Sequence, residues 1–176
     1  LAATSAHASL GIGLSLLFDN NDLGSELGFA PRLNWQFTDN DAINHSIEAE
    51  IGFLNMNGTK TVSYVGGTTA DFDLDGRAMP LLLNYRLGWN PSDVFGLYAG
   101  AGVGLSFNSI DWKDGTGNRT QSTSAFAWQI QVGSNLTFAE NYNVNLGYRH
   151  LNSGEMKAGL VKGGHNIIDL GFRYQF

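Results

Sequence analysis

Seven charged side chains set into alternating stretches carry the strongest chemical signal in the chain. Arg32, Arg86, Arg149 and Arg173, with Glu48, Glu50 and Asp169, all fall on the polar parity of alternating stretches. Guanidinium forks and carboxylates that share an enclosed space form ion-paired networks. Such a set could serve as a proton path or gate, but a structural network filling a narrow lumen is the expected role. Asp71, Asp73 and Asp75 alternate as metal-ligating carboxylates can, yet they lack the spacing of a calcium loop and read as a solvated acidic stretch. His7, His45 and His165 are too scattered for a transition-metal site, and cysteine is absent, so no disulfide, metal or cofactor is expected.

These side chains need a scaffold, and composition narrows the choice. The 176 residues suit one domain, expected to span 1–176. With 23 glycines, 3 prolines and 12% aromatic residues, the chain favours a glycine-rich, aromatic sheet over a helical bundle. No apolar run is long enough for a membrane helix. A net charge of -6 with only ten Lys and Arg residues argues against a nucleic-acid partner. The opening Leu1 to Ala8, with the small-x-small pattern Ala6-His7-Ala8, reads as either the trailing end of a removed export signal or the start of the mature chain.

Period-two alternation predicts eight strands. They are 9–18, 27–37, 43–53, 78–89, 95–107, a sixth up to Phe138 with Phe126, Trp128 and Ile130 on its apolar face, 142–151, and a last one ending at Phe176. Pro31 inside the second implies a bulge or local irregularity. The short connections fall near Asn40, Pro91 and Glu140, and the longer ones at 19–24, 55–76, 108–121 and 152–163. The alternation inside the long polar stretch 55–76 is compatible with a hairpin that continues beyond a membrane.

Alternation alone does not say which face is outside. The strand-borne arginines are all on the polar face, whereas Lys60, Lys113, Lys157 and Lys162 all fall in the longer connections, which suits a polar interior. Glycines on the polar face, such as Gly100, Gly102, Gly133 and Gly147, leave room for arginines and a tyrosine in a lumen plugged by side chains. Aromatic residues cluster at both strand ends: Trp35, Trp89, Phe138 and Tyr174 toward the short turns, Phe18, Phe107, Phe126 and Trp128 toward the long connections. Two aromatic girdles around an aliphatic middle are the pattern of a membrane barrel. The expected fold is an all-β, eight-stranded antiparallel transmembrane up-and-down β-barrel in a bacterial outer membrane, with long loops extracellular and both termini periplasmic.

Three segments carry a resemblance. Leu97-Tyr98-Ala99-Gly100-Ala101-Gly102-Val103-Gly104, Leu146-Gly147-Tyr148-Arg149-His150-Leu151-Asn152 and Asp169-Leu170-Gly171-Phe172-Arg173-Tyr174-Gln175-Phe176 are similar to the central, penultimate and closing strands of the small outer-membrane β-barrel superfamily that includes opacity-protein and OmpA-like barrels. The resemblance implies a Gram-negative cell-envelope protein with a structural or surface-interaction role and no open pore. It also implies membrane lipid and lipopolysaccharide as surroundings, assembly machinery that reads the C-terminal strand, and an extracellular ligand met through the loops. A weaker resemblance, to outer-membrane lipid A deacylases, implies an ester hydrolase that would draw on His150, Ser153 and Glu155, although Asn152 stands where that family has its serine. A narrow channel past the luminal arginines is the third reading.

Overall fold

The computed structural model describes residues 7–40, 42–63, 67, 69–114, 117–139, 141–155 and 161–176. Nine strands form one antiparallel sheet: β1 (His7–Asn21), β2 (Gly24–Asn40), β3 (Ile43–Ile51), β4 (Leu54–Ser63), β5 (Thr69–Trp89), β6 (Phe95–Asp114), β7 (Gly117–Phe138), β8 (Tyr142–Asn152) and β9 (Gly164–Gln175). The order is β3-β2-β1-β9-β8-β7-β6-β5-β4, and β5 also pairs with β3, so the pairings return on themselves as a ring.

The ninth strand arises because the third strand predicted over 43–53 breaks after Ile51 and resumes as β4 into the stretch 55–76 read as a polar connection. β5 pairs continuously past the interruption, taking Ile51 opposite Leu81 and then Leu54 opposite Ala78. On the other side the β2–β3 ladder ends at Arg32 opposite Glu50, and only a bridge from Phe29 to Phe53 follows. Pro31 stands in that gap and has no N–H to give. Across from it, the Gly52 N–H donates to the Pro80 carbonyl at 2.8 Å. A Cβ at Gly52 would lie 2.9 Å from the Pro80 ring, so a glycine is required there. The irregularity expected at Pro31 therefore falls on the β2–β3 side, while β1 pairs with β2 without a shift.

Parity survives the interruption: Ile51 and Phe53 point outward, while Glu50, Gly52 and Leu54 are buried. Outward side chains such as Leu83 (58% exposed), Ile130 (55%) and Phe126 (63%) form an apolar wall far more extensive than water tolerates on a monomer. Toward the short-turn end Tyr142, Tyr174 and Phe176 pack in a row with centroids 5.0 and 5.1 Å apart.

Beyond that wall the strands run on where the sequence suggests connections. β4 and β5 pair from Leu54 opposite Ala78 to Ser63 opposite Thr69, and β6 and β7 pair as far as Asp114 opposite Gly117. Lys60 and Lys113 therefore lie on strands, and Lys157 lies outside the described residues. Along these extensions the outward face becomes polar, with Thr59 donating to Asp73 at 3.0 Å and Thr61 to Asp71 at 2.6 Å. The inward face becomes apolar: Leu54, Met56, Leu74, Ala78 and Ile110 are buried with Leu17, Leu151 and Ile167. The charged pairs of arginine and carboxylate thus lie toward the short-turn half, and the far half is mainly apolar, with a few buried polar side chains such as Asp19, Asn108, Ser153 and His165. A surface that leaves lipid for water must invert both faces to keep its apolar residues dry.

Candidate functional site

The interior is built in two layers. In the first, five strands bring their inward positions together. β2 supplies Arg32, β3 supplies Glu48 and Glu50, β5 supplies Arg86, and the neighbouring β8 and β9 supply Arg149, Asp169 and Arg173. All seven are buried. Arg32 Nε lies 2.8 Å from Glu50 and 3.8 Å from Glu48. Arg86 donates to Glu48 at 3.1 Å, and Arg149 to Glu50 at 2.5 Å. Asp169 accepts from both Arg32 and Arg149, and so joins the two halves of the network. Gln129 bridges further, donating to Asn84 at 2.8 Å and accepting from Arg149 at 3.4 Å.

Tyr98, an inward residue on β6, supports this layer. The Arg86 guanidinium carbon sits 3.7 Å from its ring centroid, a cation–π contact. The phenol lies over two glycines: a Cβ at Gly133 or Gly147 would come within 2.6 or 2.3 Å of its hydroxyl oxygen. Gly147→Val should displace the ring and loosen Arg86, costing about 1–3 kcal/mol as overpacking does. Denaturant titration in lipid vesicles, with Tyr98→Phe as the milder comparison, measures it.

The second layer contains a hydrogen-bond chain that sequence reading misses. His165 Nδ1 lies 2.7 Å from Asp19 Oδ2, and its Nε2 lies 3.0 Å from Ser153 Oγ. Ser153 is tied further: its N–H donates to Gly163 O at 2.7 Å, and its carbonyl accepts from Asn108 at 2.8 Å. Asp19, Ser153 and His165 are each at most 1% exposed. The order is that of a Ser–His–Asp relay, but the hydroxyl is enclosed, so the chain ties β1, β9 and the segment after β8 to one another. Asp19 is discernible only by extending the β1 alternation past the predicted strand end at Phe18, and His165 stands at the start of the last strand with no partner that the sequence reveals.

The three residues implied by the hydrolase resemblance are dispersed. His150 is on the outward face, its Nδ1 3.0 Å from Asn166 Oδ1, with Trp128 at 5.7 Å between centroids. Ser153 faces inward to His165, and Glu155 is exposed. Asp71 and Asp73 are held by threonines, and among the described residues no His, Cys, Asp and Glu group could hold a metal ion.

A protein named "Putative adhesin" from Rickettsia canadensis is 26% identical over 132 residues, covering 70% of this chain and 58% of its own length. A namesake from Rickettsia prowazekii is 25% identical over 127 residues, covering 70% and 57%. The chain thus spans less than two thirds of these relatives. Among solved structures, neisserial surface protein A superposes with a TM-score of 0.57 at 17% identity, covering 98% of this chain and 99% of that one. A major outer membrane protein from Thermus thermophilus gives 0.63 at 17% identity, covering 97% and 100%. Ail, the attachment invasion locus protein of Yersinia pestis, solved with the heparin analogue sucrose octasulfate, gives 0.52 at 15% identity, covering 96% and 99%. At these identities the likeness is one of fold. The profile of the outer membrane protein beta-barrel domain matches residues 1–176, and the chain belongs to that family.

Proposed function

We propose that this chain is a surface-interaction barrel that crosses the outer membrane eight times as one domain, β3 and β4 acting together as one interrupted crossing. In this reading the chain termini and the turns near Asn40, Pro91 and Glu140 face the periplasm, while the extended hairpins stand outside the cell. The lumen conducts no solute, because an ion-paired layer and an apolar layer fill it in series. An interior of eight strands holds little more than its own side chains.

The observation that carries the reading is the reversal of polarity along β4 to β7. A hairpin that ended at the membrane surface would need no inverted core. Here Met56, Leu74 and Ile110 are buried inside the extensions while Thr59, Asp71, Asp73, Asp75 and Asp111 decorate their outer wall. The extensions are thus rigid platforms holding polar side chains clear of the lipid headgroups, as binding surfaces on a scaffold do. The curated relatives named as adhesins support a ligand met through these hairpins.

The test is gain of attachment. Displayed in a non-adherent Gram-negative host, the intact chain should raise binding to cultured epithelial cells several-fold. A variant in which β4–β5 is closed by Asn-Gly after Asn55 and β6–β7 after Asn108 should still fold and lose that gain. Equal attachment by the trimmed barrel would show that the hairpins do not carry adhesion.

A further inference from the structure

The ion-paired layer holds four guanidiniums and three carboxylates, and the surplus falls on one residue. Each carboxylate already faces two arginines: Glu48 has Arg32 and Arg86, Glu50 has Arg32 and Arg149, and Asp169 has Arg32 and Arg149. Arg173 is only 8% exposed, and among the described residues no carboxylate lies within ion-pair distance of it. Its Nε has no hydrogen-bond partner. A buried cation left in that state costs several kcal/mol unless something neutralises it, roughly the penalty seen when one partner of a buried pair is removed.

The side chain is directed away from the network. Its Cγ and Cδ pass 3.5 Å from where a Cβ at Gly11 would stand, while its own Cβ is beside Gly13, so the chain runs toward the short-turn end. There it lines a cavity of about 380 Å³. Arg86 reaches the same cavity, together with the amides of Asn44 and Asn143. The Asn143 Oδ1 accepts from Thr137 at 2.9 Å, which leaves its amide nitrogen to donate. Two guanidiniums and side-chain amides converging on one cavity form a donor set for terminal oxygens of an anion.

We infer that this vestibule is a binding site for a small oxyanion, a carboxylate or phosphate head, held by Arg173 and Arg86. A single negative charge there makes the four-against-three layer neutral. The cavity is larger than a bare ion, so it admits an oxyanion carried on a small organic molecule. Asp93, exposed on the turn between β5 and β6, is the acidic group lining the mouth and opposes entry. That the ligand comes from the periplasm rests on the orientation proposed above, but binding by detergent-solubilised protein does not depend on it.

Isothermal titration of the folded chain in neutral detergent with sodium phosphate, sodium acetate and sodium glutamate tests the site. Saturable binding of phosphate alone identifies a phosphate head, and binding of acetate and glutamate identifies a carboxylate. Arg173→Gln should lower the affinity at least tenfold, and Asp93→Asn should raise it a few-fold. Should Arg173→Gln fail to fold, Arg173→Lys keeps the charge without the fork and should weaken binding several-fold. No saturable heat with any of the three anions, or wild-type affinity in the Arg173 variants, overturns the proposal. Cell-surface accessibility of tags in the turn near Pro91 tests the orientation separately.

Discussion

Replacing Asp169 with asparagine should lower the unfolding free energy by about 3–5 kcal/mol, the cost of breaking a buried ion pair by removing one partner. Asp169 on β9 touches both Arg32 and Arg149, as Glu50 does from β3, and it is 1% exposed, so no water replaces it. Asparagine preserves shape and one acceptor but leaves both guanidiniums undercompensated. The double variant Asp169→Leu with Arg149→Met removes a charge of each sign and should cost less than the single change, because apolar pairs of similar volume often replace buried ion pairs without loss. Asp71→Asn gives the contrast: its carboxylate is exposed and held by Thr61, so its loss should cost under about 1 kcal/mol. Equilibrium urea titrations in phospholipid vesicles compare all three. An Asp169→Asn barrel within about 1 kcal/mol of wild type would mean that the network is hydrated and contributes little to stability.

That network is the part of the interior the sequence exposes best, for a physical reason. Within the apolar wall, lipid outside and a crowded lumen inside demand opposite side chains, so Arg86 between Tyr85 and Leu87, or Asp169 between Ile168 and Leu170, is visible by parity alone. The same rule hides the far layer. Past Phe53 and Met79 both environments change, and alternation continues as Thr59 against Lys60 or Asp73 against Leu74, which reads as a polar connection. The split between β3 and β4 is likewise invisible from either strand, because it falls where Pro31 on β2 interrupts one ladder and Pro80 on β5 packs against Gly52 on the other side. Asp19 falls in the predicted turn 19–24, and His165 stands at the very start of the last strand, so neither is marked as part of a site. Only the register that sets Asn21 opposite His165, beside Asp19 opposite Ile167, makes them neighbours.

That pair supports the second large effect. His165→Ala should destabilise the barrel by about 3 kcal/mol, because it strands a buried carboxylate and a buried hydroxyl together. With the imidazole neutral, Nδ1–H donates to Asp19 and Ser153 Oγ–H donates to Nε2. With it protonated, Nε2–H donates to Ser153 Oγ, whose proton turns to Gly163 O, 3.2 Å away. The serine is a swivel that satisfies both states, so Ser153→Ala should cost less than His165→Ala. Release of this tie should show locally: trypsin should cut after exposed Lys162 faster in the His165 variant than in wild type, under conditions where both remain folded. A fluorophosphonate probe separates a tie from a catalytic relay. The enclosed hydroxyl should remain unlabelled in the folded protein, whereas stoichiometric modification of Ser153 that His165→Ala abolishes would establish an activated nucleophile and a hydrolytic role.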